Sequence, residues 1–146
     1  MFIGNFIHPP NYDAALFLLI DILPEIRKRL LDIKCYIVGS NPPEEFYDLK
    51  DENTIITNFV EDAKEYFKKV RLTVVPLRFS SSVRGKIVAS LSHGTPCVTN
   101  TTGSEGMGFT NEKNILIADN SDIFADYVIK FYCMKFLIKR AVEKGP

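Results

Sequence analysis

Hydrophobic and polar positions fall along the chain in blocks that alternate between short apolar runs and segments with helical spacing. Phe2–Phe6 is a short apolar run ending in Gly-Asn and Pro-Pro punctuation, which predicts a first strand. Asp13 can open a helix that carries Ala14, Leu16, Phe17, Ile20 and Leu23 at helical spacing, and Pro24 is expected to kink it or to begin a second turn. Further strands are predicted over 33–38, 54–59, 72–75, 96–99 and 115–118. Helices are predicted over 43–49, 62–69 and 84–93, the last closed by Gly94. A helix over 122–132, capped by Asp119 or Ser121, and an amphipathic one over 134–144 complete the chain.

Strands that alternate with helices predict an α/β fold: a mainly parallel sheet of about six strands with helices on both faces, in one domain over residues 1–146. Such sheets bind ligands in the crevice beyond the carboxyl ends of their strands. The loops expected there are 4–11, 39–43, 58–62, 76–84 and 99–108, and they hold nearly all the Gly, Asn, Ser and Thr punctuation.

Composition narrows the function classes. Lys plus Arg equals Asp plus Glu at 18 each, so no global field favours nucleic acid. Cys35, Cys97 and Cys133 are odd in number and lie in apolar segments, which predicts three buried thiols in a reducing compartment. The N-terminal residues lack the pattern of a signal peptide, and the longest apolar run, Ala14–Ile20, is too short to span a bilayer. A cytoplasmic location is expected.

The chemistry concentrates after the strand at 72–75. Ser80, Ser81 and Ser82 form a polar loop, and Arg84, Gly85 and Lys86 follow at a helix start. A helix N-terminus already carries partial positive charge, so Arg84 and Lys86 are misplaced unless something negative faces them. A phosphate would turn that penalty into charge-assisted hydrogen bonds, with backbone N–H groups of Ser82–Gly85 contributing and Gly85 allowing close approach. The competing reading leaves both cations in solvent or paired with nearby carboxylates. Arg78 is placed to reach a second phosphate oxygen or to pair with an acid. His8, beside two prolines, is either a structural hydrogen-bonder or a ligand contact. His93 reads as a last-turn helix cation without a functional role, and Glu105 as one carboxylate in a loop at the same rim. No metal-ligand cluster, HExxH, GxSxG, Walker lysine motif or GxGxxG fingerprint is present.

Four segments carry a family resemblance: FIGNFIHPPNYDA (2–14), YIVGSNPP (36–43), VVPLRFSSSVRGKIVASLSHGTPCVTNTTGSEGM (74–107) and ILIADNSDIFADYV (115–128). In order and spacing they resemble the C-terminal domain of GT-B fold glycosyltransferases of the family 4, or group 1, type. The resemblance runs from about Phe2 to Tyr132 and implies a Rossmann-like domain that holds the nucleotide of an activated sugar. It implies a separate N-terminal domain for the acceptor, transfer in the cleft between the two with retention, and no metal or cofactor. The donor would be a UDP-, GDP- or ADP-linked sugar, and the setting bacterial cell-surface polysaccharide or glycan synthesis.

By the same resemblance Lys86 contacts the donor diphosphate and is the catalytic residue. Gly4 and Asn5 form the first loop beside the phosphates, and the loop with Glu105, Gly106 and Met107 lines the sugar-phosphate. The departures are specific. Ser81 and Ala89 stand where many members carry two glutamates, the second of which binds the ribose, and Ser80–Ser82 replaces a glycine-rich triplet. The acceptor domain is absent from these 146 residues, so little or no transfer is expected of the chain alone. A non-catalytic nucleotide-sugar binding module, or a subunit of a two-component transferase, is the alternative; a sugar-nucleotide epimerase fits less well. The basic amphipathic stretch 127–146 reads as a helix packed on the sheet or on the absent domain, or as a peripheral contact with an anionic membrane at its inner face.

Overall fold

A computed structural model describes residues 1–79, 84–104 and 115–143, the side chains of residue 84 and of residues 135–143 excepted. The serines at 80–82 and the loop with Glu105, Gly106 and Met107 therefore lie outside the described residues.

The strands are β1 (Phe2–Ile3), β2 (Cys35–Val38), β3 (Thr54–Ile56), β4 (Thr73–Val75), β5 (Cys97–Thr99) and β6 (Ile115–Ile117). All pair in parallel, in two ladders ordered β1-β2-β3 and β4-β5-β6. The ladders meet at Met1, whose nitrogen donates to the Leu72 carbonyl at 3.1 Å and whose carbonyl accepts from the Val74 N–H at 2.9 Å. Those two bonds make one parallel register step, with Met1 opposite Thr73. The strands thus run 3-2-1-4-5-6 across the molecule, the Rossmann-like order, and the order reverses between β1 and β4. The expected α/β architecture is what the chain adopts.

Alternation along β1 and β2 sends side chains to two faces. Phe2 and Ile37 join the large core, which α1 (Pro9–Phe17), α2 (Leu23–Arg27) and α7 (Ser121–Glu143) help to build. Met1 and Val38 face the other way and meet Phe67 of α4 (Lys64–Lys69), with Ile3, Ala63 and Ala89 alongside. This second layer is thin beside the first, with three buried residues at its centre among the described ones. The remaining helices are α3 (Glu44–Leu49), α5 (Arg84–Ser92) and the short α6 (Thr101–Ser104).

Several boundaries differ from the sequence reading. The first helix starts at Pro9, since prolines at its first two positions lack only N–H groups that a helix start leaves free. Pro24 begins a new helical segment, one of the two expected alternatives: a π-helical turn, Leu18–Ile22, carries the chain into α2, which has Pro24 in its first turn. Asn120 caps α7, accepting from the Asp122 and Ile123 N–H groups, while Asp119 accepts from the Thr101 N–H at the start of α6. The two expected C-terminal helices are one. Cys35 and Cys97 are buried as expected, but Cys133 is exposed. Phe124, Ala125, Val128 and Phe131 form the buried stripe of α7, and Cys133 falls off it.

Candidate functional site

Beside the β1–β4 switch lies a cavity of about 560 Å³ that runs from Met1 and Thr73 to Ile3 and Val75 and is bordered by His8, Asn11, Gly85 and Lys86 among others. Ala63, Phe67 and Ala89 line it on the side of the thin second layer.

Lys86 enters from the first turn of α5 and reaches back across the switch. Its ammonium donates to the Ile3 carbonyl at 2.6 Å and lies 5.5 Å from the Phe2 ring centroid. Burial pushes its pKa down to about 8. Among the described residues no carboxylate forms an ion pair with it. Among the described residues the charge is therefore held by neutral groups, in a place where water only partly reaches it.

Gly4 makes room for this arrangement. A Cβ added there would lie 2.9 Å from Asn11 Cγ and 3.1 Å from Lys86 Nζ. At Gly85 a Cβ would meet no described residue within 4 Å. The start of α1 is different in kind. Pro9 and Pro10 have no N–H, and the Asn11 and Tyr12 N–H groups both go to the His8 carbonyl. No backbone donor is free there for an anion.

The other predicted contacts divide. His8 caps the backbone of α1 without a side-chain capping bond and lines the cavity. Asn5 is occupied as a clasp: its side-chain oxygen accepts from the Ile7 N–H and from Asn41 Nδ2. Arg78 forks onto Asp13 through Nε at 2.9 Å and an Nη at 2.7 Å, with its guanidinium over the Phe17 ring. That bond to Asp13 raises its pKa further. Arg84 opens α5, and its side chain, like Ser81, Ser82, Glu105, Gly106 and Met107, lies outside the described residues. His93 stacks on Phe67 at 4.3 Å.

Two residues were not singled out from the sequence. Asn11 is buried in the cavity wall, and Asp13 is the partner of Arg78. An asparagine directly after two prolines gave a local hint of the first, and the second needed the fold. Among the described residues no group of three or more His, Cys, Asp or Glu could hold a metal. Burial pushes the Cys97 thiol up to about 12, which makes it a packing group and not a nucleophile. No described helix is long and apolar enough to cross a membrane.

Among the described residues, the cavity at the strand-order switch of this Rossmann-like fold is faced by an ammonium that has no carboxylate partner. Comparison with known proteins gives the family. The chain is 24% identical over 140 residues to an uncharacterized 44.6 kDa protein in the cps region of Klebsiella pneumoniae, a match covering 90% of this chain and 36% of that protein. The chain thus spans about a third of that relative's length. The family model for group 1 glycosyl transferases matches residues 1–133, nearly the whole sequence, and the chain belongs to that family.

Proposed function

We propose that the chain is the donor-binding domain of a retaining, metal-independent glycosyltransferase and holds the diphosphate of a nucleotide sugar in the β1–β4 crevice. The observation that carries this reading is Lys86: a largely buried ammonium at the switch point with no carboxylate partner among the described residues. Leaving a cation so costs stability, and an anionic ligand offsets the cost. In the transfer step negative charge grows on the departing diphosphate, and Lys86 is placed to stabilise it. Gly4 and Gly85 give the phosphates room, His8 borders them, and Asn5 shapes the loop that carries Gly4.

Transfer needs a second wall for the acceptor. Ile7, Phe59 and Phe79 stand exposed on the loops after β1, β3 and β4, which supports an acceptor-binding domain or subunit facing this edge. The relative in a cps region supports polysaccharide synthesis as the setting.

A second reading, a nucleotide-sugar binding module without transfer, is favoured by Ala89. It lines the cavity where the family resemblance expects a ribose-binding glutamate. Thermal melts with UDP, GDP, ADP and CMP test both. A nucleotide present at 100 times its dissociation constant adds roughly 2.7 kcal/mol of stability. No shift with any of them, or the same shift in Lys86→Ala, removes the phosphate site. Binding that never yields transfer, even with an acceptor domain supplied, leaves the second reading.

A further inference from the structure

Asn11 is the polar side chain at this site that the fold buries and leaves incomplete. The residue is 7% exposed and its Oδ1 has no hydrogen-bond partner among the described residues. An orphaned buried oxygen of this kind keeps an uncompensated desolvation cost. Its orientation is held, because Nδ2 donates to the Asn5 carbonyl at 3.0 Å. Its own helix cannot satisfy it: Pro9 and Pro10 carry no N–H, and the next two N–H groups go to His8.

The nearby group with donors to spare is Lys86. Asn11 Cγ and Nδ2 and Lys86 Nζ all lie within 3.1 Å of one point, the place where a side chain would begin at Gly4, and Nζ makes no hydrogen bond to Asn11 Oδ1 in this arrangement. An ammonium has three N–H bonds. One goes to the Ile3 carbonyl, and no other acceptor is bound to it among the described residues. We propose that Asn11 is the positioning residue for Lys86: with an anion in the crevice, the ammonium rests on the Ile3 carbonyl and Asn11 Oδ1 and aims its third N–H at a phosphate oxygen.

This rests on the reading of Lys86 as the phosphate-binding lysine. Both fixed acceptors are neutral, so they orient the cation without cancelling it. A carboxylate in place of Asn11 would orient it as well and remove the charge that the ligand needs. Of the titratable groups around the cavity, His8 and the Met1 nitrogen are the others, and no described carboxylate lines it.

The test is calorimetric titration with inorganic pyrophosphate at pH 7, using wild type, Asn11→Asp, Asn11→Leu and Lys86→Met. Thermal melts check folding, and NMR follows the titration of the Lys86 ε-methylene. Asn11→Asp is close to isosteric; it is expected to fold, to raise the Lys86 midpoint and to weaken pyrophosphate by about tenfold or more. Asn11→Leu is expected to weaken it by about fivefold and to lower the midpoint measured with pyrophosphate bound. A merely structural Asn11 would lower the melting temperature without moving the midpoint, and that result overturns the inference. So does an Asn11→Leu that weakens UDP but not pyrophosphate, which would give Oδ1 to a ligand hydroxyl. If Lys86→Met loses pyrophosphate while both Asn11 variants bind normally, this inference alone fails. If wild type does not bind, or Lys86→Met binds as wild type does, the phosphate site fails with it.

Discussion

Gly39 lies so close to Gly4 that a Cβ on it would fall 1.7 Å from the Gly4 carbonyl oxygen. Its φ of 139° is also one that side chains rarely adopt. The end of β2 is thereby pressed against the loop that gives Lys86 its room. Gly39→Ala is expected to cost about 3 kcal/mol or more, since backbone must move on both strands. Urea unfolding measures it, and a loss below about 1 kcal/mol would mean that the contact is not made.

The lowered pKa of Lys86 predicts opposite pH effects on binding and on stability. Its value in the folded chain is about 8, against 10.5 for an ordinary lysine. Below pH 8 the ammonium is in place, and phosphate affinity should depend little on this group. Above it the ligand must bring a proton, and affinity should fall by up to about tenfold per pH unit. Without ligand the sign reverses. Between about pH 8 and 10.5 the unfolded chain holds more protons at this lysine, so its contribution raises stability as pH rises. Lys86→Met should flatten that slope, raise the melting temperature and abolish phosphate binding. Melts and titrations from pH 7 to 10.5 check all three.

Gly103 is crowded by Thr99. A Cβ there would sit 2.3 Å from Thr99 Oγ1 and 3.1 Å from the Val75 carbonyl, which Thr99 Oγ1 itself donates to. Gly103→Ala should destabilise by about 2 kcal/mol. Adding Thr99→Ala should recover part of that loss, because the two substitutions share one contact. Strict additivity in denaturant unfolding would argue against it.

Arg78 and Asp13 give a smaller effect. Their side chains are 46% and 26% exposed, so solvent screens the pair. A double-mutant cycle should return about 0.5–1 kcal/mol at low salt, falling as salt is added. Arg78 can serve a phosphate only by leaving Asp13, so Asp13→Ala should raise affinity if it does.

The alternation of apolar strands and amphipathic segments made the architecture readable, because period and punctuation are local properties of residues such as Gly39, Gly94 and Pro76. Lys86 was readable for the same reason: a cation in the first turn of a helix conflicts with its surroundings in one dimension. What holds it was not. The Ile3 carbonyl is 83 residues away, and no residue type marks a backbone oxygen. The Arg78–Asp13 pair spans 65 residues and forms because β4 ends beside α1. Cys133 lies in an apolar run yet is exposed, since helix phase sets burial there more than local composition does.

The two prolines at the start of α1 give the crevice a direction. With no amide hydrogens to offer, that wall neither attracts nor steers negative charge, whereas the α5 wall carries the lysine. A bound sugar nucleotide would therefore enter with its phosphates turned to α5, bordered by His8, and its uncharged portions left to the prolines. Selection between the two ends of such a ligand would then be written in missing donors as much as in the charge that is present.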